Sequence, residues 1–397
     1  MKITGIHSFH ADGGWRPFSF LKMTTDDGLT GWAEYSCGPW APALPGIIEV
    51  LAQNVLGRDP RDFRVLRQEL NAITRFAPGG LNCQAIAAIE NACIDIAAKA
   101  AGQPAWKYFG GALREKIDLY WTHCGSFRAR DSDLFAHLFD HEPLVDLDSM
   151  KRLGEEVVRR GFKAAKTNPI MFAPAGPVLL NPGFVVRGLD HSGALASDTL
   201  YAIEAQLEAF RDGVGQSTDL MLDVNFAYSP QSVARLERAV RKHRLRWLEY
   251  DHRVPGALVG LKSQMATPLA SLEAVYESLG YAPFLEGQAV DIAVIDVLWN
   301  GFDEASRIAA YSCANGINVA PHNFYGPLAD LIAANFCAIV PNLEIMEFEA
   351  DDVPWKYDLL TQPLAIGDGA ILIPTGDGWG ADINEAALLE HPWPRKL

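Results

Sequence analysis

The sequence predicts an α/β protein: a (β/α)8 barrel over residues 116–350, an N-terminal α+β capping domain over residues 1–115, and a C-terminal segment, residues 351–397, that returns to the cap. Three observations predict it. At 397 residues the chain exceeds the size at which one core stops growing, so a barrel with an appended domain is the economical arrangement. From about residue 116 short apolar runs alternate with helix-length stretches, the rhythm of a parallel sheet or barrel. Ahead of them, the first thirty-five residues alternate apolar and polar positions, the pattern of a half-buried antiparallel sheet.

Taken in order, that opening sheet turns at Thr25-Asp26-Asp27-Gly28 and resumes at Leu29–Glu34, a hairpin signature. Helical periodicity follows over residues 46–75. An Ala-rich helix runs from Gln84 to Ala101, ended by Gly102 and Pro104. Between them Phe76-Ala77-Pro78-Gly79-Gly80 is a breaker cluster and a loop candidate. Eight strand candidates then follow, at residues 117–124, 162–167, 220–225, 245–250, 267–273, 292–297, 317–322 and 343–348. Eight parallel strands with intervening helices close naturally as a barrel. One connection is abnormal: the Pro- and Gly-rich stretch from Asn168 to about Ser197 is long enough to be a functional loop over the barrel mouth. After residue 350 the rhythm stops, and the tail is expected to pack on the first domain.

Composition excludes several classes. Hydrophobic residues make up 49% and charged residues 21%, a globular balance. A net charge of −15 with no long Lys/Arg run makes nucleic acid a poor partner. The same acidity would repel an anionic substrate, so a carboxylate ligand needs a local cation or metal to draw it in. The six cysteines form no CxxC pair and read as reduced core thiols. With no signal-like N-terminus and no long apolar window, a soluble cytoplasmic protein without a membrane partner is expected.

Barrel active sites lie at the C-terminal ends of the strands, so the polar residue that ends each strand is the informative one. Asp223, Glu249 and Glu273 end three consecutive strands, each about one βα unit after the last. A single acidic strand end is ordinarily a solvated or helix-capping carboxylate. Three neighbours would raise one another's pKa unless a cation neutralised them, and hard oxygen ligands suit Mg²⁺. The next two strands end in Asp296 and His322; a carboxylate that holds one imidazole nitrogen leaves the other free to move a proton. Strand alternation puts Lys163 and Lys166 on opposite faces, and an inward Lys166 reads as an electrostatic partner for a carboxylate or enolate oxygen. His123, near the end of the first strand, is a further polar group at the mouth.

These motifs resemble the mandelate racemase and muconate lactonizing branch of the enolase superfamily, over essentially the whole chain. The resemblance rests on Gly161-Phe162-Lys163-Ala164-Ala165-Lys166, Leu222-Asp223-Val224-Asn225, Trp247-Leu248-Glu249, Ser271-Leu272-Glu273, Ile295-Asp296 and Ala320-Pro321-His322-Asn323. It implies Asp223, Glu249 and Glu273 as Mg²⁺ ligands and Asp296 with His322 as the catalytic pair. It also implies a Glu on the eighth strand that hydrogen-bonds the substrate carboxylate, here Glu347 with Glu344 the alternative. Asn225, Asn168, His123, Arg75 and Asn323 are expected to border the substrate, a small-molecule carboxylate, and a homo-oligomer is implied. Two positions depart from the family pattern. Racemizing members carry a second base in a Lys-x-Lys pair, whereas this chain reads Lys166-Thr167-Asn168; and Leu272 stands where a small residue usually precedes the fifth-strand Glu.

Without the second lysine, a simple racemase lacks its acid–base pair across the enediolate. The resemblance therefore points to an acid-sugar dehydratase of the galactonate dehydratase type. The resemblance implies that His322 would take the proton α to the carboxylate to give a metal-stabilised enediolate, that Lys166 and Glu347 would support the carboxylate oxygens, and that the β-hydroxyl would leave to give a 2-keto-3-deoxy acid. An epimerase, racemase or cycloisomerase of the same superfamily is the alternative, and a non-catalytic sugar-acid binding relative the second. An unrelated metal-dependent barrel would build its site largely from His. The stretches His10–Trp15 and Arg75–Gly80 are expected to close over the distal end of the substrate, with Arg75 or His191 gripping a second carboxylate.

Overall fold

The structure is a computed structural model and describes residues 1–394 apart from 39, 140 and 181–192; His191 lies outside the described residues. Strands β1 (Ile3–Asp12), β2 (Pro17–Thr25) and β3 (Thr30–Tyr35) form an antiparallel sheet in that order. The first turn needs Gly14 at φ +76° and the second Gly28 at φ +89°, a region closed to most side chains. The stretch read as one helical run is two helices, α1 (Leu44–Ala52) and α2 (Phe63–Ile73). Gly57 at φ +76° and Pro60, which opens a short 3₁₀ turn, divide them.

Helix α3 (Gly80–Ala100) starts four residues before its expected Gln84 and is buried along nearly its whole length. Its polar residues knit the cap together: Asp95 accepts the amides of Trp32 (2.8 Å) and Trp379 (3.0 Å) and pairs with Lys99 (2.6 Å). The same helix joins cap to barrel, Arg67 of α2 bridging Glu90 and the Asn300 carbonyl, both at 2.8 Å.

The barrel strands are β4 (Lys116–Trp121), β5 (Ala164–Thr167), β8 (Asp219–Asp223), β9 (Trp247–Glu249), β10 (Leu269–Ser271), β11 (Ile292–Asp296), β12 (Asn318–His322) and β13 (Met346–Phe348). They pair in parallel in that order. β13 returns to β4, and a parallel bridge from Val319 to Leu343 closes the ring. All eight expected strands are present, several shorter than expected. Inside the ring, Tyr120, Ala164, Met221, Trp247, Ala270, Ile292, Val294, Ala320 and Ile345 form their own apolar cluster, the packed layer that makes such a barrel a plug and not a pore.

The long second connection holds a hairpin that periodicity did not signal, β6 (Ile170–Ala173) with β7 (Gly176–Leu179). The tail splits its contacts. β14 (Ile366–Gly367) and β15 (Ala370–Leu372) pair, and β15 adds antiparallel to β4 of the barrel. Residues beyond them meet the cap, with the Asp12 backbone amide donating to the His391 carbonyl (2.8 Å) and Trp379 Nε1 to that of Trp32 (2.9 Å). No helix among the described residues is long and apolar enough to cross a membrane, and the six cysteines are free thiols, five of them buried.

Candidate active site

Parallel register brings the polar strand ends to one level: Asp223 pairs with Glu249, and Asp296 with His322. They surround a cavity of about 250 Å³ at the C-terminal mouth, lined by His123, Lys166, Asp223, Asn225, Glu273, His322 and Glu347 together with Trp40, Phe226, Trp299 and Phe324. Polar groups and aromatic rings share its wall.

Lys166 is buried and shared between two carboxylates, at 3.1 and 3.0 Å from the oxygens of Glu249 and 2.9 Å from Glu347. Such sharing satisfies an ammonium that could not otherwise remain charged inside the barrel. Glu347 also accepts from the Thr122 hydroxyl (2.5 Å) and the Asn323 amide (2.6 Å). Burial would raise its pKa, but Lys166, His322 and the Thr122 bond hold it below the usual carboxylate range. As an ionised acceptor it orients Lys166; to hydrogen-bond a carboxylate it must first take up a proton. Glu344, the alternative, is turned away, bound to Arg246 (2.8 Å) and Asn318 (2.7 Å).

His322 Nδ1 lies 2.6 Å from Asp296 Oδ2, and its Nε2 faces Glu273 at 3.4 Å. Tyr325 donates its hydroxyl to the same Asp296 oxygen, while the other Asp296 oxygen accepts the Trp299 amide (2.7 Å). The carboxylate is thus fixed from three sides, and it fixes the imidazole. Burial would lower the imidazole pKa, but Glu273, the bond to Asp296 and Glu347 together push it up to about 10.

The acidic side has more charge than its cations offset. Burial foremost pushes Asp223 up to about 6, Glu249 up to about 7 and Glu273 well above the usual range, with neighbouring carboxylates adding and Lys166 or His322 opposing. Asp251, two residues beyond Glu249, joins them. It accepts from Ser271 Oγ and the Leu272 amide, both at 3.0 Å, and is itself raised to about 6. Its second oxygen and Asn225 Oδ1 are buried without a hydrogen-bond partner. Hard carboxylate oxygens in excess, with orphaned acceptors beside them, fit a divalent cation in kind. As placed, no three such side chains among the described residues converge at metal-ligand distance, and two of the expected ligands are held by protein donors. Glu249 takes Lys166 and Trp247 Nε1 (3.0 Å), and Asp223 takes the amide (2.8 Å) and side chain (3.1 Å) of Asn225.

Three expected substrate contacts are corrected. Asn168 points behind the wall, donating to the Asp223 carbonyl (3.1 Å) and accepting from Ser126 (2.8 Å). The Asn323 side chain turns to Asp330 (2.8 Å), and only its backbone amide serves the site. Both follow the last ladder pair of their strands, where alternation no longer dictates direction. Arg75 sits on the exposed end of α2, donating to the Ala72 carbonyl (2.8 Å) and covering Phe76, and does not line the cavity. Its loop approaches only indirectly: a Cβ at Gly79 would meet Tyr276 at 3.7 Å, and Tyr276 stacks on Trp299. Trp15 likewise backs the wall, tilted against Phe127 and stacked on Phe324. The cap residue that does line the cavity is Trp40, which no periodic pattern marks. Asp251, Tyr325 and Glu349 were also not singled out; two acids, Asp251 and Glu349, repeat a strand-end acid at the two-residue period of a strand, and that repeat is the available signal.

Comparison with known proteins places these features among relatives. The model of the mandelate racemase / muconate lactonizing enzyme N-terminal domain matches residues 8–110, and that of the enolase C-terminal domain-like family matches residues 149–387. Among curated proteins, the D-gluconate dehydratase of Thermoproteus tenax is 25% identical, over 97% of this chain and 72% of its own length. The D-galactarolactone cycloisomerase of Agrobacterium fabrum is 26% identical, over 96% and 92%. Among solved structures, a candidate L-alanine-DL-glutamate epimerase from Burkholderia xenovorans superposes with a TM-score of 0.95 at 36% identity, covering 99% of this chain and 98% of that one. A second structure of that protein, bound to magnesium and fumarate, gives 0.94 at 36% over 98% and 96%.

Proposed function

Because the chain belongs to the mandelate racemase and muconate lactonizing enzyme family of the enolase superfamily, we propose that it is a Mg²⁺-dependent dehydratase of an acid sugar, an aldonate or aldarate. The observation that carries the reading is the Asp296–His322 pair, one imidazole nitrogen fixed at 2.6 Å and the other directed at a cavity lined by carboxylates and Lys166. Relatives named as dehydratases of gluconate, xylonate and galactonate support the substrate class.

Mg²⁺ held by Asp223, Glu249 and Glu273 would supply a Lewis acid for the substrate carboxylate and the counter-charge that lets His322 shed its proton. Lys166, oriented by Glu249 and Glu347, presents its positive charge to the same carboxylate as negative charge develops there. His322 Nε2 takes the α-proton, and Asp296 stabilises the imidazolium that results. The Cβ–O bond then breaks, water leaves, and the enol becomes a 2-keto-3-deoxy acid. The aromatic rings of Trp40, Phe226, Trp299 and Phe324 exclude water from the reacting carbons.

An isomerase is the second reading, favoured by the 36% identical epimerase candidate. It needs a second base, which Asn168, bound to backbone behind the wall, does not provide. The two readings separate in a screen of purified protein with Mg²⁺ against mono- and diacid sugars in D₂O. Keto-acid formation, read with semicarbazide, is the expected result. Deuterium at the α-carbon without keto acid throughout the screen contradicts dehydration and establishes isomerisation.

A further inference from the structure

Among the described residues that line the cavity, His123 is the titratable group left without a task by the reaction above. Its setting is not that of a spare surface histidine. It follows β4 at φ +45°, a conformation a non-glycine residue adopts at a cost and often at functional sites. Ser126 closes the turn by donating its amide to the His123 carbonyl (2.7 Å). The ring is pinned by Phe127 and Phe324, at 4.7 and 5.3 Å between centroids, and Phe324 also contacts His322 at 5.1 Å. Two imidazoles therefore reach one cavity from strands β12 and β4, which flank β13.

Behind His123, its Nδ1 lies 3.0 Å from Oε2 of Glu349, a side chain with no solvent exposure. The other oxygen of Glu349 accepts the Asp351 amide (3.2 Å). We propose that Glu349 and His123 form a proton relay that protonates the β-hydroxyl as it departs, an inference that rests on dehydration being the reaction. Charge supports the neutral form of both partners. Burial foremost, then Asp351, pushes Glu349 well above the usual carboxylate range against Arg16. Burial foremost, with Lys166, His322 and Arg16 adding and Glu347 opposing, lowers His123 to about 3. A protonated Glu349 donates to Nδ1, so the proton of the neutral ring sits on Nε2, facing the cavity.

The step balances. His322 takes the α-proton, and the C–H electron pair forms the Cα–Cβ double bond while the Cβ–O pair leaves with oxygen. That oxygen takes the Nε2 proton of His123, Nδ1 takes the carboxyl proton of Glu349, and water departs. As product leaves, water in the cavity returns a proton to Nε2 while Nδ1 gives its own back to the buried Glu349 carboxylate, restoring the starting tautomer. Separate groups thus take the α-proton and give the leaving-group proton, and His322 need not perform both.

Two measurements on the full chain test the relay. In protein labelled with ¹⁵N-histidine, the His123 resonances, assigned by loss in His123→Asn, are expected to report the neutral Nε2–H tautomer at neutral pH; an imidazolium or an Nδ1–H tautomer there overturns the proposal, whatever the enzyme's substrate. In the second, Glu349→Gln and His123→Asn are assayed with Mg²⁺ in D₂O on D-gluconate and 3-deoxy-3-fluoro-D-gluconate. Keto acid from gluconate is expected to fall about 100-fold or more, the range for loss of a general acid, while α-deuterium exchange persists and fluoride, which needs no proton to leave, is lost at a near wild-type rate. Equal losses on both substrates, or none on either, overturn the relay. A wild type that exchanges α-deuterium but forms no keto acid overturns the dehydratase reading instead.

Discussion

At the scale of residues, the site is governed by who holds each charge. Asp296 is the hinge of the base: His322, Tyr325 and the Trp299 amide all bind its two oxygens. Replacing Tyr325 by Phe removes a hydrogen bond to a buried charge, an interaction of about 1.5–3 kcal/mol. The expected result is a lower Tm and a lower kcat with KM little changed, read by calorimetry and steady-state kinetics, because the imidazole loses orientation while the substrate contacts stay. The placement of most of these residues was legible in the sequence. Asp223, Glu249, Asp296 and His322 end strands whose spacing repeats with the βα unit, and register then levels each neighbouring pair at the mouth, with Lys166 one residue inside the end of its own strand. Asn168 and Asn323 were misread because each lies one residue past its strand, where a neighbouring acceptor decides the direction and alternation does not. Leu272 stands at φ +95° with its amide held by Asp251, so the bulky residue before Glu273 is accommodated by a bond from an acid two residues past the fourth strand.

At the scale of elements, the cap and barrel are joined by side chains that cap helices across the boundary. Glu34 of β3 accepts the amides of Gly326 (2.5 Å) and Ala329 (2.9 Å) at the start of the barrel helix Pro327–Ile339. Asp330 and Lys356 also bear on it, and burial foremost raises it from 4.5 to about 7 against those amide bonds. The folded protein therefore keeps a proton that the unfolded chain releases earlier. This group's contribution is present below pH 4.5 and lost as pH rises through about 7, a change on the order of 3 kcal/mol at most. In Glu34→Gln, neutral at every pH, the Tm is expected to fall less between pH 5 and pH 8 than in the wild type; an unchanged difference contradicts the assignment. That joint was invisible in the sequence because its partners stand almost three hundred residues apart. So was the division of α1 from α2, which depends on a glycine at φ +76° inside an otherwise helical pattern.

At the scale of the molecule, eight parallel strands gather Asp223, Glu273, Glu347 and Lys166 into one mouth, and the net negative charge of the chain makes that mouth unwelcoming to an anion until a cation joins it. The fold was legible because the barrel strands are apolar runs separated by helix-length stretches. The β6–β7 hairpin was not, since its four-residue strands, rich in glycine and proline around the turn, carry no clear period. A ligand that binds only the folded barrel stabilises it, by about 2.7 kcal/mol at a hundred times its dissociation constant. Mg²⁺ is therefore expected to raise the Tm of the wild type and not that of Glu249→Gln, measured by scanning calorimetry; an equal rise in both contradicts the carboxylate site.

The account turns on His322 as the group that removes the α-proton. The most direct measurement is α-proton exchange in D₂O by ¹H NMR, wild type against His322→Asn, with Mg²⁺ binding of both proteins measured by calorimetry. The expected result is exchange in the wild type, a loss of about 100-fold or more in the variant, and Mg²⁺ binding in both. Exchange that survives in the variant at a near wild-type rate contradicts the account.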